Sequence, residues 1–389
     1  MWSGIFRLLR DGVLVIRCTR PGILQPKLRA VMLILVRDRS SSLKEFHMSR
    51  QGILRRCVVS LAFAGLAATA LAAQAQDSAD QSDRAKGPAT EHRVSPYQDV
   101  SLGLDESVLV QAAGLKSLTF AFVEAASSTD CTAAWGGLGP VSSDTTIGDY
   151  VTNIRAGGGD VTFSFGGAVG FELADVCQSV ASLQAQYQQV IDKYHAKRLD
   201  FDIEVDDGDS IDNTTAINRR SQALAALQHA NPGLLITFAL PVAIDGLLSN
   251  GLFVLQSAQQ FGVQVHGVNI LAMDYGSGDP TVEGKNAISS STHTLAQLKQ
   301  IGLHTSVGIV VLPGKEDTFT ATFPEQFTLP DAREVLRYAD EHRGDINLLS
   351  FWELSRDQQC PGGGGDPDEN TCSSITQRPN EFSHIFERF

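Results

Sequence analysis

Leu199-Asp200-Phe201-Asp202-Ile203-Glu204 decides the fold of this 389-residue chain. Successive side chains of a strand point to opposite faces, with a rise of ~3.3 Å per residue. Asp200, Asp202 and Glu204 therefore share one face, spaced ~6.6 Å apart, while Phe201 and Ile203 share the other. In a closed barrel the apolar face packs on helices and the acids point inward. Burying them costs several kcal/mol per ion unless they are protonated, paired or hydrogen-bonded. Neighbouring carboxylates do not all ionise easily, so one pKa rises, and a Glu protonated near neutral pH is a general acid. Two other readings compete. One is an exposed edge strand with its acids in water. The other is a calcium loop on Asp202, Glu204 and Asp206, but Asp207 stands where such a loop needs glycine and the run is too apolar.

Other apolar runs flank this one: 94–100, 117–123, 160–165, 198–204 itself, 234–241, 265–274, 305–312 and 346–352. Helical patterns lie between most of them, as at 178–194, 216–229, 252–261, 294–301 and 331–342. Eight strands separated by helices predict an α/β chain folded as a (β/α)8 TIM barrel. A doubly wound open sheet would want G-x-G-x-x-G after its first strand, and that motif is absent.

The chain is 43% hydrophobic and 19% charged, which excludes disorder over most of its length. The first 75 residues hold 12 Lys/Arg and 3 Asp/Glu, so from a total of −13 the remainder carries −22. Such a body is a poor nucleic-acid binder, and its ligand should be neutral or cationic. From Met48 come a basic segment (Arg50, Arg55, Arg56), an apolar stretch and Ala73-Gln74-Ala75. That order predicts a secretory signal over 48–75. Residues 1–47 read as an upstream extension outside the native protein, 76–92 as a disordered linker, and 93–389 as one catalytic domain. The apolar run 31–36 is too short to span a bilayer. Past the signal, Cys131, Cys177, Cys360 and Cys372 remain, an even number that suits disulfides in an exported chain. Of three pairings, Cys131–Cys177 with Cys360–Cys372 is favoured, because the second pair brackets Pro361 and Gly362–Gly365. No C-x-x-C or H-x-x-x-H occurs, which argues against structural zinc.

The acidic stretch resembles the active-site strand of the family 18 glycoside hydrolases, the chitinase family, whose pattern is D-G-x-D-x-D-x-E. Asp200, Asp202 and Glu204 match its last three acids, whereas Lys197 and Arg198 replace its first Asp and Gly. A divergent secreted bacterial branch has a similar core. Ser164-Phe165-Gly166-Gly167 is similar to the family's S-x-G-G after the third strand. Met273-Asp274-Tyr275-Gly276 resembles its M-x-Y-D, with Gly276 in place of the Asp and Asp274 one position earlier. Phe351-Trp352 ends the eighth run, where the family places a Trp under the sugar.

The resemblance implies a secreted chitinase that cuts β-1,4 N-acetylglucosamine linkages with retention. Glu204 would be the acid, and the substrate's acetamido oxygen the nucleophile. Asp202 would orient the acetamido N–H, Tyr275 would bond its oxygen, and Asp200 would share the proton of Asp202. Trp352, Met273, Gly166, Gly167, Asp274 and Tyr97 would contact substrate. It implies no metal and no organic cofactor. Chitin or its oligomers would be the partner of a monomer free of the membrane once the signal is removed. The acidic loop 206–212 reads as solvated. An endo-β-N-acetylglucosaminidase acting on N-glycans, and a non-catalytic chitin-binding lectin, are the alternatives. Lectin relatives of the barrel typically lose the acid that Glu204 retains.

Overall fold

Short apolar runs rich in Phe, Val, Ile and Leu become strands here because both their faces are covered, as parallel sheets require. The computed structural model describes residues 93–204, 210–276, 279, 281–317, 325–363 and 370–389, and the backbone of three strands before them. Those three, Ser3–Leu8, Val13–Thr19 and Leu33–Leu35, form an antiparallel sheet in a separate unit, 1–79. The expected signal at 48–75 and linker at 76–92 lie outside the described residues.

The second unit is an eight-stranded parallel barrel. Its first strand, β1, comes in two pieces, Arg93–Val94 and Tyr97–Asp99. The others are β2 (Ser117–Ser127), β3 (Asp160–Gly166), β4 (Arg198–Asp202) and β5 (Leu235–Ala243). Then come β6 (Val265–Leu271), β7 (Val307–Val311) and β8 (Ile346–Phe351). Each strand pairs with the next, and the two pieces of β1 close the ring, one on β8 and one on β2. A helix follows each strand: α1 (Glu106–Ala112), α2 (Thr146–Ala156), α3 (Val180–Tyr194), α4 (Thr214–Ala230), α5 (Ser249–Phe261), α6 (Glu283–Gln300), α7 (Leu329–Glu341) and α8 (Glu381–Phe386). Capping boxes start α3 (Ser179 with Ser182) and α7 (Thr328 with Asp331), and left-handed Gly262 ends α5.

Two differences from the sequence reading bear on the site. β4 stops at Asp202, so Glu204 stands two residues past the strand, on the C-terminal rim. α6 begins at Glu283, eleven residues before the expected 294, because its buried face is built from Ser290, Ser291 and Thr294, which give no apolar period. β2 continues into an antiparallel hairpin with Asp130–Trp135. Both favoured disulfides are present: Cys131–Cys177 ties that hairpin to the segment after β3, and Cys360–Cys372 closes a loop after β8.

Candidate active site

Phe201 stacks on Phe165 (centroids 5.1 Å) and meets Tyr187 of α3 edge-on, so this face of β4 looks toward the helices. Alternation turns Asp200 and Asp202 into the barrel, where both are buried. Asp200 receives donors from four other strands. Tyr97 of β1 (2.8 Å) and Ser164 of β3 (2.9 Å) donate to Oδ2, and Thr237 of β5 (2.5 Å) and Asn269 of β6 (2.9 Å) to Oδ1. Four donors fill the lone-pair sites of a carboxylate. Burial raises the Asp200 pKa, and the four hydrogen bonds oppose that rise. Burial likewise pushes the Tyr97 hydroxyl well up, with Asp200 adding to it.

Asp202 contrasts with its neighbour. Its Oδ1 is buried and receives no hydrogen bond. Burial, then the negative charges of Glu204 and Asp200, hold its pKa well above the usual carboxylate range. Glu204 is half-buried beyond it, and its carbonyl accepts from Ile211 N–H (3.1 Å). The sequence therefore runs from a saturated carboxylate, through a buried one with an unclaimed oxygen, to one at the rim. Most of the acidic loop 206–212 lies outside the described residues. Its described part corrects the solvated reading at two positions: Ser210 and Ile211 are buried, Ser210 against the guanidinium of Arg220.

The two glycines after β3 hold this strand end. Gly166 (φ +97°) lies so close that a Cβ would sit 2.1 Å from the Asp202 carbonyl oxygen. A Cβ on Gly167 (φ +101°) would sit 2.7 Å from the Phe122 ring, and Gly167 N–H donates to that same Asp202 carbonyl (3.0 Å). Only glycine combines positive φ with such approach.

Beside the acids lies an aromatic floor. Trp352 stacks on Phe122 (5.4 Å, 11°) and leans on Tyr97 (6.3 Å), and Met273 packs in the same cluster. The Ala121–Phe122 and Trp352–Glu353 peptides are cis. Phe122 was not expected here. Simple alternation puts it on the helix side with Phe120, but β2 is irregular between Phe120 and Val123, which turns it inward. Thr237 and Asn269 were also missed, although each is a polar residue inside an apolar strand run, which is a readable signal.

The segment after β6 departs from alternation. Asp274 has φ +53°, and Tyr275 turns toward the helix layer, where its hydroxyl pairs with Ser290 of α6 (2.8 Å). Burial raises its pKa, and the Ser290 bond opposes that rise. The backbone N–H of Asp274 donates to buried Glu316 (2.5 Å), and that of Gly276 to buried Glu325 (3.0 Å). The structure thus brings Asp200, Asp202, Tyr97, Gly166 and Gly167 together, and puts Met273 and Trp352 in one cluster with Tyr97. Asp274 and the Tyr275 hydroxyl are engaged by other groups.

No family model matches the chain. It is 30% identical over 322 residues to the probable bifunctional chitinase/lysozyme of Escherichia coli K12, covering 77% of this chain and 34% of that protein. It is 30% identical over 290 residues to Endochitinase 11 of Metarhizium anisopliae, covering 68% and 52%. The chain thus spans about a third and about half the length of these two relatives. Among solved structures, the catalytic domain of a hyperthermophilic chitinase from Pyrococcus furiosus is similar at a TM-score of 0.66 and 31% identity, over 77% of this chain and 95% of that one. A catalytic-site mutant of active domain 2 of the thermostable chitinase from the same organism, complexed with chito-oligosaccharides, is similar at 0.66 and 29%, over 78% and 96%.

Proposed function

Because the chain belongs to the family 18 glycoside hydrolases, the chitinase family, we propose that it hydrolyses β-1,4 N-acetylglucosamine linkages with the substrate's own acetamido group as nucleophile. The observation that carries this reading is the buried, unclaimed Oδ1 of Asp202, between saturated Asp200 and Glu204 at the rim. Glu204 gives its proton to the glycosidic oxygen as the C1–O bond breaks. The acetamido oxygen attacks C1 and closes an oxazolinium ring, its N–H held by Asp202 Oδ1. Asp200, fixed from four strands, holds Asp202 at its station. The Glu204 carboxylate then takes a proton from water, which attacks C1, reopens the ring and leaves the anomeric configuration retained. Trp352 and Phe122 form the apolar platform under the sugar. An ordinary retaining glycosidase would need a second carboxylate as nucleophile, and here the acetamido group takes that part. Tyr275 serves this scheme by holding the Met273–Gly276 segment, and reaches the acetamido oxygen only by exchanging Ser290 for substrate. We place the enzyme outside the cell, exported as a monomer by the segment 48–75. Among the described residues no helix is long and apolar enough to cross a membrane.

Glu204→Gln tests the acid. It keeps shape and hydrogen bonding but removes the proton, so turnover of N-acetylglucosamine oligomers should fall by at least ~10²-fold while their binding persists. Near-wild-type kcat would remove Glu204 from this role. Comparable rates on cellulose oligomers, or a sugar trapped covalently on an Asp or Glu, would overturn the nucleophile.

A further inference from the structure

Two backbone bonds hold Glu204 at the rim. Just before it, Ile203 N–H donates to the Ala239 carbonyl of β5 (3.0 Å); its own carbonyl accepts from Ile211 N–H (3.1 Å). Both isoleucines are buried. The first bond is anchored in the barrel wall, because Ala239 belongs to a central strand. The second is only as firm as whatever holds Ser210 and Ile211, which lie outside any strand or helix. Where the Glu204 side chain starts is therefore decided by an anchor beyond the sheet.

That anchor is Arg220 of α4. Its Nη2 donates both to Ser210 Oγ (3.1 Å) and to Glu172 Oε2 (2.6 Å), and its Nε donates to Glu172 Oε1 (3.4 Å). The side chains of Arg220 and Glu172 are each 1% exposed. Glu172 is fixed in turn. Its Oε2 accepts from Ala174 N–H (3.0 Å), its Oε1 from the Tyr187 hydroxyl of α3 (3.4 Å), and its Cγ lies 3.5 Å from where a Cβ on Gly166 would stand. The pair thus ties the loop after β4 to the end of β3 and to α3. A buried ion pair is a poor source of stability, because desolvation offsets the attraction. This one is poorer still, since Nη1 is buried with no hydrogen-bond partner. What the pair supplies is geometry. One nitrogen of a rigid planar fork sits between acceptors on two different loops, and the flexible stem and point charge of a lysine do not reproduce that.

We propose that Arg220 is a positioning residue for the acid: braced on Glu172, it holds Ser210, and through Ile211 N–H it keeps the Glu204 carboxyl within reach of the glycosidic oxygen. The inference rests on the reading of Glu204 as the acid, and deepens it by naming what sets its station. The test compares kcat/KM on the phenyl and the 2,4-dinitrophenyl glycosides of the N-acetylglucosamine disaccharide. Phenol needs a proton from the acid to depart, whereas dinitrophenol, far less basic, departs without one. Damage to folding or to sugar binding lowers both rates alike; a misplaced acid lowers only the first. Arg220→Lys should lose about tenfold or more on the phenyl glycoside and less than about twofold on the dinitrophenyl one. Ser210→Ala, which leaves the ion pair in place, should show the same split. The combined variant should lie within about twofold of the worse single one, because both act through one bond. Equal losses on the two substrates, no loss on either, or fully multiplicative losses in the combined variant would overturn the proposal. Glu204→Gln on the same substrates separates the two readings. If it shows the split and the Arg220 and Ser210 variants do not, this proposal falls alone; if it loses both rates equally, the acid reading falls and takes this one with it. Thermal melting verifies folding, and if Arg220→Lys does not fold, the split in Ser210→Ala decides the matter.

Discussion

Gly166 is the most informative residue to change, because its neighbour is the backbone of the catalytic strand. An alanine Cβ there would begin 2.1 Å from the Asp202 carbonyl oxygen, whereas real Cβ atoms essentially never come nearer than 3.0 Å. The ends of β3 and β4 must therefore separate by roughly 1 Å, carrying Asp202 and Glu204 with them. A misplacement of that size costs on the order of 10²-fold in rate. The positive φ adds a second penalty of about 1–3 kcal/mol of stability, independent of the displacement. Gly233→Ala separates the two effects, since Gly233 has φ +89° and nothing within 4 Å of its Cβ position. Both variants should melt lower than wild type. Only Gly166→Ala should lose about 10²-fold in kcat on N-acetylglucosamine oligomers. Folded Gly166→Ala with kcat within about threefold of wild type would refute the claim that this glycine sets the position of the acids.

Other predictions concern buried groups around the barrel. Glu106, at the start of α1, is buried with both carboxylate oxygens unpartnered, and burial raises its pKa from 4.5 to about 8. Between those values the folded state keeps a proton the unfolded state has lost, so stability falls as pH rises, by on the order of 4 kcal/mol at pH 8. Glu106→Gln should flatten denaturation midpoints over that window, and an unchanged slope would contradict the assignment. Tyr275→Phe loses only the Ser290 bond in the present geometry, so kcat/KM should fall less than about tenfold; a loss beyond ~10²-fold would show that the hydroxyl moves to the substrate. Opening Cys131–Cys177, which spans 46 residues, should cost about 2–4 kcal/mol in chemical denaturation. A loss below about 0.5 kcal/mol would mean that the hairpin is held without it.

The parts of this molecule that follow a local period could be read before folding. Alternation in 199–204 correctly turned Asp200 and Asp202 inward, and the eight apolar runs became eight barrel strands. What escaped were breaks in period and long-range partners. The irregularity in β2 moved Phe122 across the sheet, and left-handed Asp274 turned Tyr275 outward. Neither leaves a mark on residue spacing. Glu316 and Glu325 reach Asp274 and Gly276 from 42 and 49 residues away, so no short motif announces them. The first half of α6 was hidden because hydroxyl-bearing Ser290, Ser291 and Thr294 fill its buried face where apolar residues would have shown the 3.6 period.

Asp200 also shapes how the chain reaches its final state. Its four donors lie 103, 36, 37 and 69 residues away, on both sides of it in the chain. A half-built barrel ending at β4 offers it only Tyr97 and Ser164, and one starting at β4 offers only Thr237 and Asn269. In either fragment, one oxygen of a carboxylate in an apolar interior goes without donors, at a cost of a few kcal/mol. Partial barrels are thereby disfavoured relative to both the open chain and the closed ring. The same residue that organises the catalytic strand makes closure of the ring all-or-none, so recombined halves should assemble only as complementary pairs.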